Sequence, residues 1–194
     1  DALQSLAFQA LTEHGLAEPH RQVEMLRLLA QAAGSRGMAG GQAIDLASVG
    51  QALTLPELEL MHIHKTGALI RASVALGARA AGASDESELA ALDRYSRAVG
   101  LAFQVVDDIL DGEASTATLG KTAGKDAAAD KPTYVTILGR TRAKELAEEL
   151  RVEAQAALGV LGARGACDGP DHQCGWWLRD ALVRGSRYAG LIRA

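Results

Sequence analysis

Several kinds of residue are scarce in this 194-residue sequence, and each scarcity excludes a class of protein. Two cysteines, Cys167 and Cys174, are too few for the disulfide framework of a small secreted domain, so a reducing cytoplasm is the expected compartment. Proline occurs only four times and aromatic residues make up 4% of the chain, which disfavours a β-sheet protein. The most apolar stretch, 66–82, carries Arg71 and Arg79, so the sequence predicts no membrane span.

The charge balance and the apolar content narrow the classes further. Twenty basic and twenty-four acidic residues give a net charge of −4, which argues against a dedicated nucleic-acid binder. Because 48% of the residues are hydrophobic and alanine is abundant, we predict one all-α domain over residues 1–194. The first residues already follow a helical pattern without an initiator methionine, so we expect the N-terminal part of this domain to be missing.

Apolar residues recur at helical spacing in six segments. These predict helices over 2–14, 20–33, 55–82, 85–111, 141–161 and 175–192. The short connection at Gly82 predicts that the third and fourth helices are antiparallel neighbours whose facing sides line a shared cavity.

Local signals mark the helix starts and the segments between helices. Thr54 and Glu57 have the spacing of a capping box, and Asp85 begins a second start signal of the same kind. The glycine-rich segment 34–41 predicts a flexible turn or loop. The segment 112–131 is rich in small and polar residues, which predicts a mobile flap.

An acidic stripe is the most informative pattern in the sequence. At about 100° per residue, one helical face carries Gln104, Asp107, Asp108 and Asp111, whereas apolar residues occupy the rest of the helix. Crowded carboxylates on a buried helix need a compensating cation, and oxygen ligands favour Mg²⁺, which completes its shell with water and substrate phosphates. Gly100 shares this face, where we expect it to admit a ligand close to the backbone.

The alternative interpretation of this stripe is a solvated acidic face with Arg94 or Arg97 as ion-pair partners. The valines, isoleucine and leucine that flank the carboxylates indicate burial, which favours the metal–phosphate interpretation.

A second group of residues shares one face of the preceding helix and consists of His62, Lys65, Thr66, Leu69 and Ser73. A lysine and a threonine among apolar residues are suited to hold a diphosphate oxygen and to stabilise a developing positive charge. The alternative for Lys65 is a surface lysine whose stem covers apolar neighbours.

Three further groups of polar residues carry weaker signals. Gln42 and Asp45 share a helical face, where they could present polar groups to a pocket. The alternative is that they cap a helix, which is the simpler interpretation. Lysines in the predicted flap either close over a phosphate or are solvated, namely Lys121, Lys125 and Lys131. Cys167, His172 and Cys174 are unevenly spaced and have no fourth partner, which argues against a closed zinc site.

Taken in order along the chain, these motifs resemble those of the trans-isoprenyl diphosphate synthases, especially the bacterial farnesyl diphosphate synthases. The resemblance covers most of the chain and weakens after about residue 160. It rests on Asp1-Ala2-Leu3, Gly41-Gln42-x-x-Asp45-Leu46, His64-Lys65-Thr66-Gly67-Ala68-Leu69-Ile70, Phe103-Gln104-x-x-Asp107-Asp108-x-x-Asp111, Thr118-Leu119-Gly120-Lys121 and Lys131-Pro132-Thr133-Tyr134.

The resemblance implies an all-α bundle around a central cavity that assembles as a homodimer. It implies condensation of isopentenyl diphosphate with an allylic diphosphate, dimethylallyl or geranyl, to a short-chain trans-prenyl diphosphate, with farnesyl diphosphate the expected product. The alternatives are a geranylgeranyl diphosphate synthase and, in a different class, a non-catalytic prenyl-synthase subunit that serves as an interaction partner.

The resemblance also assigns roles to residues. Asp107, Asp108 and Asp111 match the second aspartate-rich motif, which binds Mg²⁺ and the allylic diphosphate. Lysines around that diphosphate are matched by Lys65, Lys121 and Lys131. Thr66 and Gln104 match groups beside the allylic cation, which makes them catalytic candidates with Lys65, and the same pocket is lined by Gln42 and Asp45.

One departure from the family pattern is as informative as the matches. The family's first aspartate-rich motif, with the basic residues that follow it, is absent from this sequence. The isopentenyl diphosphate site belongs to that absent part, so we expect this chain alone to be incomplete.

Overall fold

A computed structural model describes residues 2–13, 18–118 and 132–164 of the chain. Within these ranges every regular element is helical, which confirms the all-α prediction. The elements are α1 (Ala2–Leu11), α2 (Pro19–Ala33), α3 (Met38–Ala47), α4 (Leu55–His62), a π-helical turn (Ile63–Gly67), α5 (Ala68–Ala80), α6 (Glu86–Thr118), α7 (Tyr134–Leu138), α8 (Arg140–Leu158) and a final 3₁₀ turn (Gly159–Arg164).

Both predicted helix starts are confirmed by their capping contacts. The backbone N–H of Thr54 donates to Glu57 Oε2 at 2.8 Å at the start of α4. At the start of α6, Asp85 Oδ1 accepts the N–H groups of Ser87 at 2.8 Å and Glu88 at 3.0 Å. These side chains satisfy donors that the first helical turn leaves unpaired.

The predicted loop over 34–41 is wrong in its second half, because α3 begins at Met38 and contains Gly40 and Gly41. A Cβ atom on Gly41 would lie 2.1 Å from the backbone N of Lys65, and one on Gly40 would lie 2.0 Å from the carbonyl O of Ser35. The two glycines therefore permit close backbone packing. In the sequence, glycines that serve this purpose cannot be distinguished from glycines that form a turn.

The predicted flap over 112–131 is also wrong at its beginning, because α6 continues through Gly112 to Thr118. The sequence between these residues contains no proline or further glycine that would end the helix. Residues 119–131 lie outside the described part of the chain, as does the predicted helix over 175–192.

The predicted helix over 55–82 is divided into three parts by the π-helical turn at Ile63–Gly67. A π turn has i→i+5 hydrogen bonds, so it shifts the angular register of everything that follows it. The five residues that were predicted to lie on one face of this helix consequently do not all face the same part of the protein. Leu69 packs against the α1–α2 cluster, and Ser73 Oγ donates to the carbonyl of Leu69 at 2.8 Å.

Two apolar clusters hold the helices together. The larger one joins α4, α6, α7 and α8 around the buried side chains of Leu58, Val105 and Tyr134. The smaller one joins α1, α2 and α5 around Met25 and Leu29. Complete burial of such a side chain contributes roughly 1.5–3 kcal/mol, so the larger cluster fixes α6 against its neighbours.

The predicted packing of α5 beside α6 is confirmed. Arg71 Nε on α5 donates to Asp93 Oδ1 on α6 at 2.6 Å. Nearer the π turn, a Cβ on Gly100 would lie 3.2 Å from the Cα of Gly67. The expectation that Gly100 admits a ligand is therefore wrong, since its bare backbone packs against another glycine.

Among the described residues, no helix combines the length and apolar character that a bilayer crossing requires.

Candidate active site

The acidic stripe lies where the sequence places it, on α6, above a buried apolar face. Val105, Val106 and Ile109 are almost completely buried, whereas Asp108 is half-buried and Asp107 and Asp111 are exposed. Because the apolar side chains are locked into the larger cluster, the three carboxylates are held on the opposite side of one rigid helix.

Within the described ranges no lysine or arginine forms an ion pair with this stripe. Arg97, one of the two candidate partners, instead pairs with Asp93, with its Nε 3.0 Å from Oδ2. The described residues therefore give the stripe no arginine partner, whereas the exposure of Asp107 and Asp111 is what a solvated face also predicts.

Burial and mutual repulsion raise the pKa of two of these carboxyl groups. For Asp107 the pKa is raised mainly by desolvation and then by the charge of Asp111. For Asp108 the pKa rises to about 6, again mainly because of burial, with the charges of Asp107 and Asp111 adding to it. The backbone N–H of Tyr134 opposes this rise, because it donates to Asp108 Oδ2 at 2.8 Å. A bound cation would relieve the repulsion among these groups.

We tested whether these residues fit a metal ion. In the described part of the chain, no three Asp, Glu, His or Cys side chains lie close enough together to coordinate one metal ion. Mg²⁺ does not need three protein ligands, since it typically binds one or two carboxylates and completes its octahedral coordination with water and phosphate oxygens. The oxygen-only stripe and its uncompensated charge therefore fit Mg²⁺ bound together with a diphosphate.

Lys65 is held in place by Asp45. The lysine lies in the π turn, and its Nζ is 2.6 Å from Asp45 Oδ2 on α3. The carboxylate side chain is only 12% exposed, whereas that of the lysine is 34% exposed. Asp45 lies inside α3, so the capping interpretation of this residue is wrong. Its carboxylate restrains the ammonium group while leaving part of it open to solvent.

Thr66 and Gln104 connect the π turn to the acidic stripe. Thr66 Oγ1 donates to Gln104 Oε1 at 2.9 Å. Gln104 precedes Asp107 and Asp108 by one helical turn, so this bond places Thr66 beside the carboxylates. The hydroxyl oxygen keeps its own lone pairs, which can face a developing positive charge.

The remaining predicted residues are not brought into these contacts. Gln42 is exposed on α3, within the helix, and does not cap it. The flap lysines and the cysteine–histidine group lie outside the described residues, namely Lys121, Lys125, Lys131, Cys167, His172 and Cys174.

The sequence does not predict the contact between His62 and Tyr134. The rings of His62 and Tyr134 are stacked, with centroids 5.6 Å apart and an angle of 25° between their planes. Tyr134 is completely buried and His62 is 8% exposed. Seventy-two positions separate these residues, and no local pattern in a single sequence pairs two rings at that distance.

His62 should make the stability of the protein sensitive to acid. Burial, and secondarily the charge of Lys65, lowers the pKa of His62 from 6.5 to about 4, with Asp45 acting in the opposite direction. Between pH 6.5 and 4 the unfolded chain binds a proton that the folded chain does not, so stability falls as the pH is lowered. Urea unfolding at pH 7 and pH 5 should show a smaller loss in His62→Phe than in the unmodified protein. Equal losses would contradict this assignment.

A separate groove lies between α2, α5 and α6. Its volume is about 520 Å³, and its lining includes Arg36, Arg71, Arg79 and Asp93. None of the predicted site residues lines it, so this groove is distinct from the candidate active site.

The helical bundle, with its acidic stripe beside the π turn that carries Lys65 and Thr66, defines a protein of the isoprenoid synthase class. Comparison with known proteins gives the family. A sequence model described as polyprenyl synthetase matches residues 1–157, and the chain belongs to this family.

The similarity extends to individual relatives. The chain is 47% identical over 163 residues to farnesyl diphosphate synthase of Escherichia coli, covering 83% of this chain and 54% of the relative. It is also 47% identical over 163 residues to geranylgeranyl pyrophosphate synthase 11 of Arabidopsis thaliana, covering 81% and 45% of the two chains. The chain thus spans about half the length of the curated relatives it matches.

A solved structure shows the same fold. The geranyltransferase of Helicobacter pylori, complexed with magnesium and isoprenyl diphosphate, superimposes with a TM-score of 0.70 at 32% identity. The match covers all of this chain and 59% of that structure.

Proposed function

We propose that the protein carrying this chain is a Mg²⁺-dependent trans-isoprenyl diphosphate synthase. It would condense isopentenyl diphosphate with dimethylallyl or geranyl diphosphate, with farnesyl diphosphate as the product. The observation that carries the proposal is the acidic stripe of α6, which has no cationic partner among the described residues and lies next to Thr66. Membership of the polyprenyl synthetase family supports it.

In this proposal the stripe holds the metal and the π turn holds the reacting end of the allylic substrate. Asp107, Asp108 and Asp111 would supply oxygen ligands to Mg²⁺, which when bound would neutralise charge on the departing diphosphate. Lys65, restrained by Asp45, would donate to a diphosphate oxygen. We assign the same role to Lys121 and Lys131 and place Gln42 at the edge of the pocket.

The carbon–oxygen bond of the allylic substrate breaks as these groups stabilise the leaving diphosphate. The hydroxyl oxygen of Thr66, oriented by its bond to Gln104, would face the allylic cation. The double bond of isopentenyl diphosphate then attacks this cation, and loss of a proton restores a double bond. The departing diphosphate is the proton acceptor in this scheme, so no side chain needs to act as a base.

The assembly and location of the protein are further parts of the proposal. We propose a single all-α domain over residues 1–194, in a homodimer. Exposed apolar side chains on α1 and α2 support an association surface there, namely Leu3, Leu6 and Val23. The low cysteine content supports a cytoplasmic location.

Product analysis tests the proposed activity. The complete protein that carries this chain should convert labelled isopentenyl diphosphate and geranyl diphosphate to farnesyl diphosphate when Mg²⁺ is present. Accumulation of geranylgeranyl diphosphate would identify the alternative synthase, which the similarity to the Arabidopsis relative favours. Failure to form any product under saturating substrates and Mg²⁺ would refute the catalytic proposal and leave the non-catalytic subunit.

A further inference from the structure

Tyr134 contacts the acidic stripe and the helix before the π turn at the same time. It is the first residue of α7, and its backbone N–H donates to Asp108 Oδ2 at 2.8 Å. Its ring stacks on His62 at the end of α4 and is completely buried in the larger apolar cluster. One residue therefore links α6 to α4.

The polar atoms of the two rings do not explain this arrangement. Among residues 2–13, 18–118 and 132–164, no group forms a hydrogen bond with the hydroxyl of Tyr134 or with Nδ1 of His62. A buried polar atom without a partner costs free energy. The contribution of the pair must therefore come from ring packing, which phenylalanine can reproduce.

The helix that Tyr134 begins is too short to hold its own position. It comprises only Tyr134–Leu138, and a helix of one or two turns is marginal in water without tertiary contacts. Thr133 caps it by accepting the N–H of Thr136 at 3.1 Å. The cap forms the first turn, and Val135, Ile137 and Leu138 pack against the edge of the larger cluster. Tyr134 is the completely buried residue of α7, and its ring joins the first turn to His62 on α4.

We propose that Tyr134 is a positioning residue for the metal–diphosphate site, acting through Asp108; this inference rests on the proposed function. The stacked ring fixes the start of α7, and the N–H there fixes Oδ2 of Asp108. The carboxylate is thereby held in one orientation, in which its second oxygen would be available to a metal ion. A ligand that is already oriented loses less entropy on binding.

Direct metal binding distinguishes positioning from simple stability. The probe is Mn²⁺ with inorganic diphosphate, with free Mn²⁺ measured by electron paramagnetic resonance in the complete protein. Tyr134→Phe keeps the ring and should bind within about twofold of the unmodified protein. Tyr134→Leu removes the stack and should bind at least about tenfold more weakly, a loss typical of residues that orient metal ligands.

Two further variants keep the inference testable if Tyr134→Leu does not fold. His62→Leu removes the same stack from the other side and should weaken Mn²⁺ binding, whereas His62→Phe should not. Leu150→Ala opens a cavity in the same cluster and keeps both rings of the stack, so it should lower the melting temperature and leave Mn²⁺ affinity unchanged.

The outcomes separate the two proposals. Unchanged Mn²⁺ affinity in folded Tyr134→Leu or His62→Leu would overturn the positioning role, as would a loss in Tyr134→Phe as large as that in Tyr134→Leu. If the ring variants behave as expected but no prenyl product forms in the unmodified protein, the catalytic proposal fails and the positioning of Asp108 stands.

Discussion

Replacing Asp107 by alanine is expected to lower Mg²⁺-dependent condensation by about 100-fold or more in the complete protein that carries this chain. The carboxylate lies on the open side of α6, and its apolar neighbours Val105 and Val106 are buried. Its removal therefore leaves the core intact and takes away a metal ligand. Most of the loss should appear in turnover and in the Mg²⁺ concentration needed for half-maximal rate.

The matched control for Asp107→Ala is Glu86→Ala, which removes an exposed carboxylate at the start of the same helix. It should change the rate by less than about twofold, since surface substitutions of this kind alter stability by only about 0.5 kcal/mol. Unchanged kinetics in Asp107→Ala would show that the acidic stripe is a structural feature of α6 rather than a metal site.

Replacing Gly41 by alanine should disrupt both the packing of α3 and the position of Lys65. The new Cβ would lie 2.1 Å from the backbone N of Lys65 and 2.5 Å from its Cα, so α3 must move away from the π turn. Forced overpacking costs about 1–3 kcal/mol. The displacement also separates Asp45 from Lys65, so the Michaelis constant for the allylic diphosphate should rise at least tenfold.

The control for Gly41→Ala is Gly77→Ala in α5, where no described atom lies within 4 Å of the added Cβ. A helix-interior glycine replaced by alanine without a clash should gain about 0.5–1 kcal/mol. Urea unfolding and steady-state kinetics of both variants check the prediction. If Gly41→Ala is as stable and active as Gly77→Ala, the close approach of α3 to the π turn is not required.

The helices could be predicted from the sequence wherever the signal was local. The Thr54–Glu57 and Asp85 caps fixed two helix starts because the capping contacts span only three residues. The start of α3 could not be predicted in this way. Gly40 and Gly41 look like a turn, and only the backbones of Ser35 and Lys65 in the folded chain reveal why they are glycine.

In the candidate site, too, the local features could be predicted from the sequence and the long-range contacts could not. The stripe of Asp107, Asp108 and Asp111 follows from helical periodicity, so its shared face was predictable. The π turn was not predictable, because a shift from i→i+4 to i→i+5 hydrogen bonding leaves no mark in a pattern of apolar residues. The contact of Tyr134 with Asp108 spans 26 positions and depends on the packing of α7, which a single sequence does not specify.

The most direct test of the metal–diphosphate site is a calorimetric titration of inorganic diphosphate into the complete protein and its Asp107→Ala variant, with Mg²⁺ or with a chelator. The account predicts tight binding only for the unmodified protein with Mg²⁺, and binding at least about tenfold weaker for the variant or with the chelator. Equal binding of diphosphate in the presence of Mg²⁺ and of the chelator, or equal binding by both proteins, would contradict the assignment of the α6 carboxylates as metal ligands.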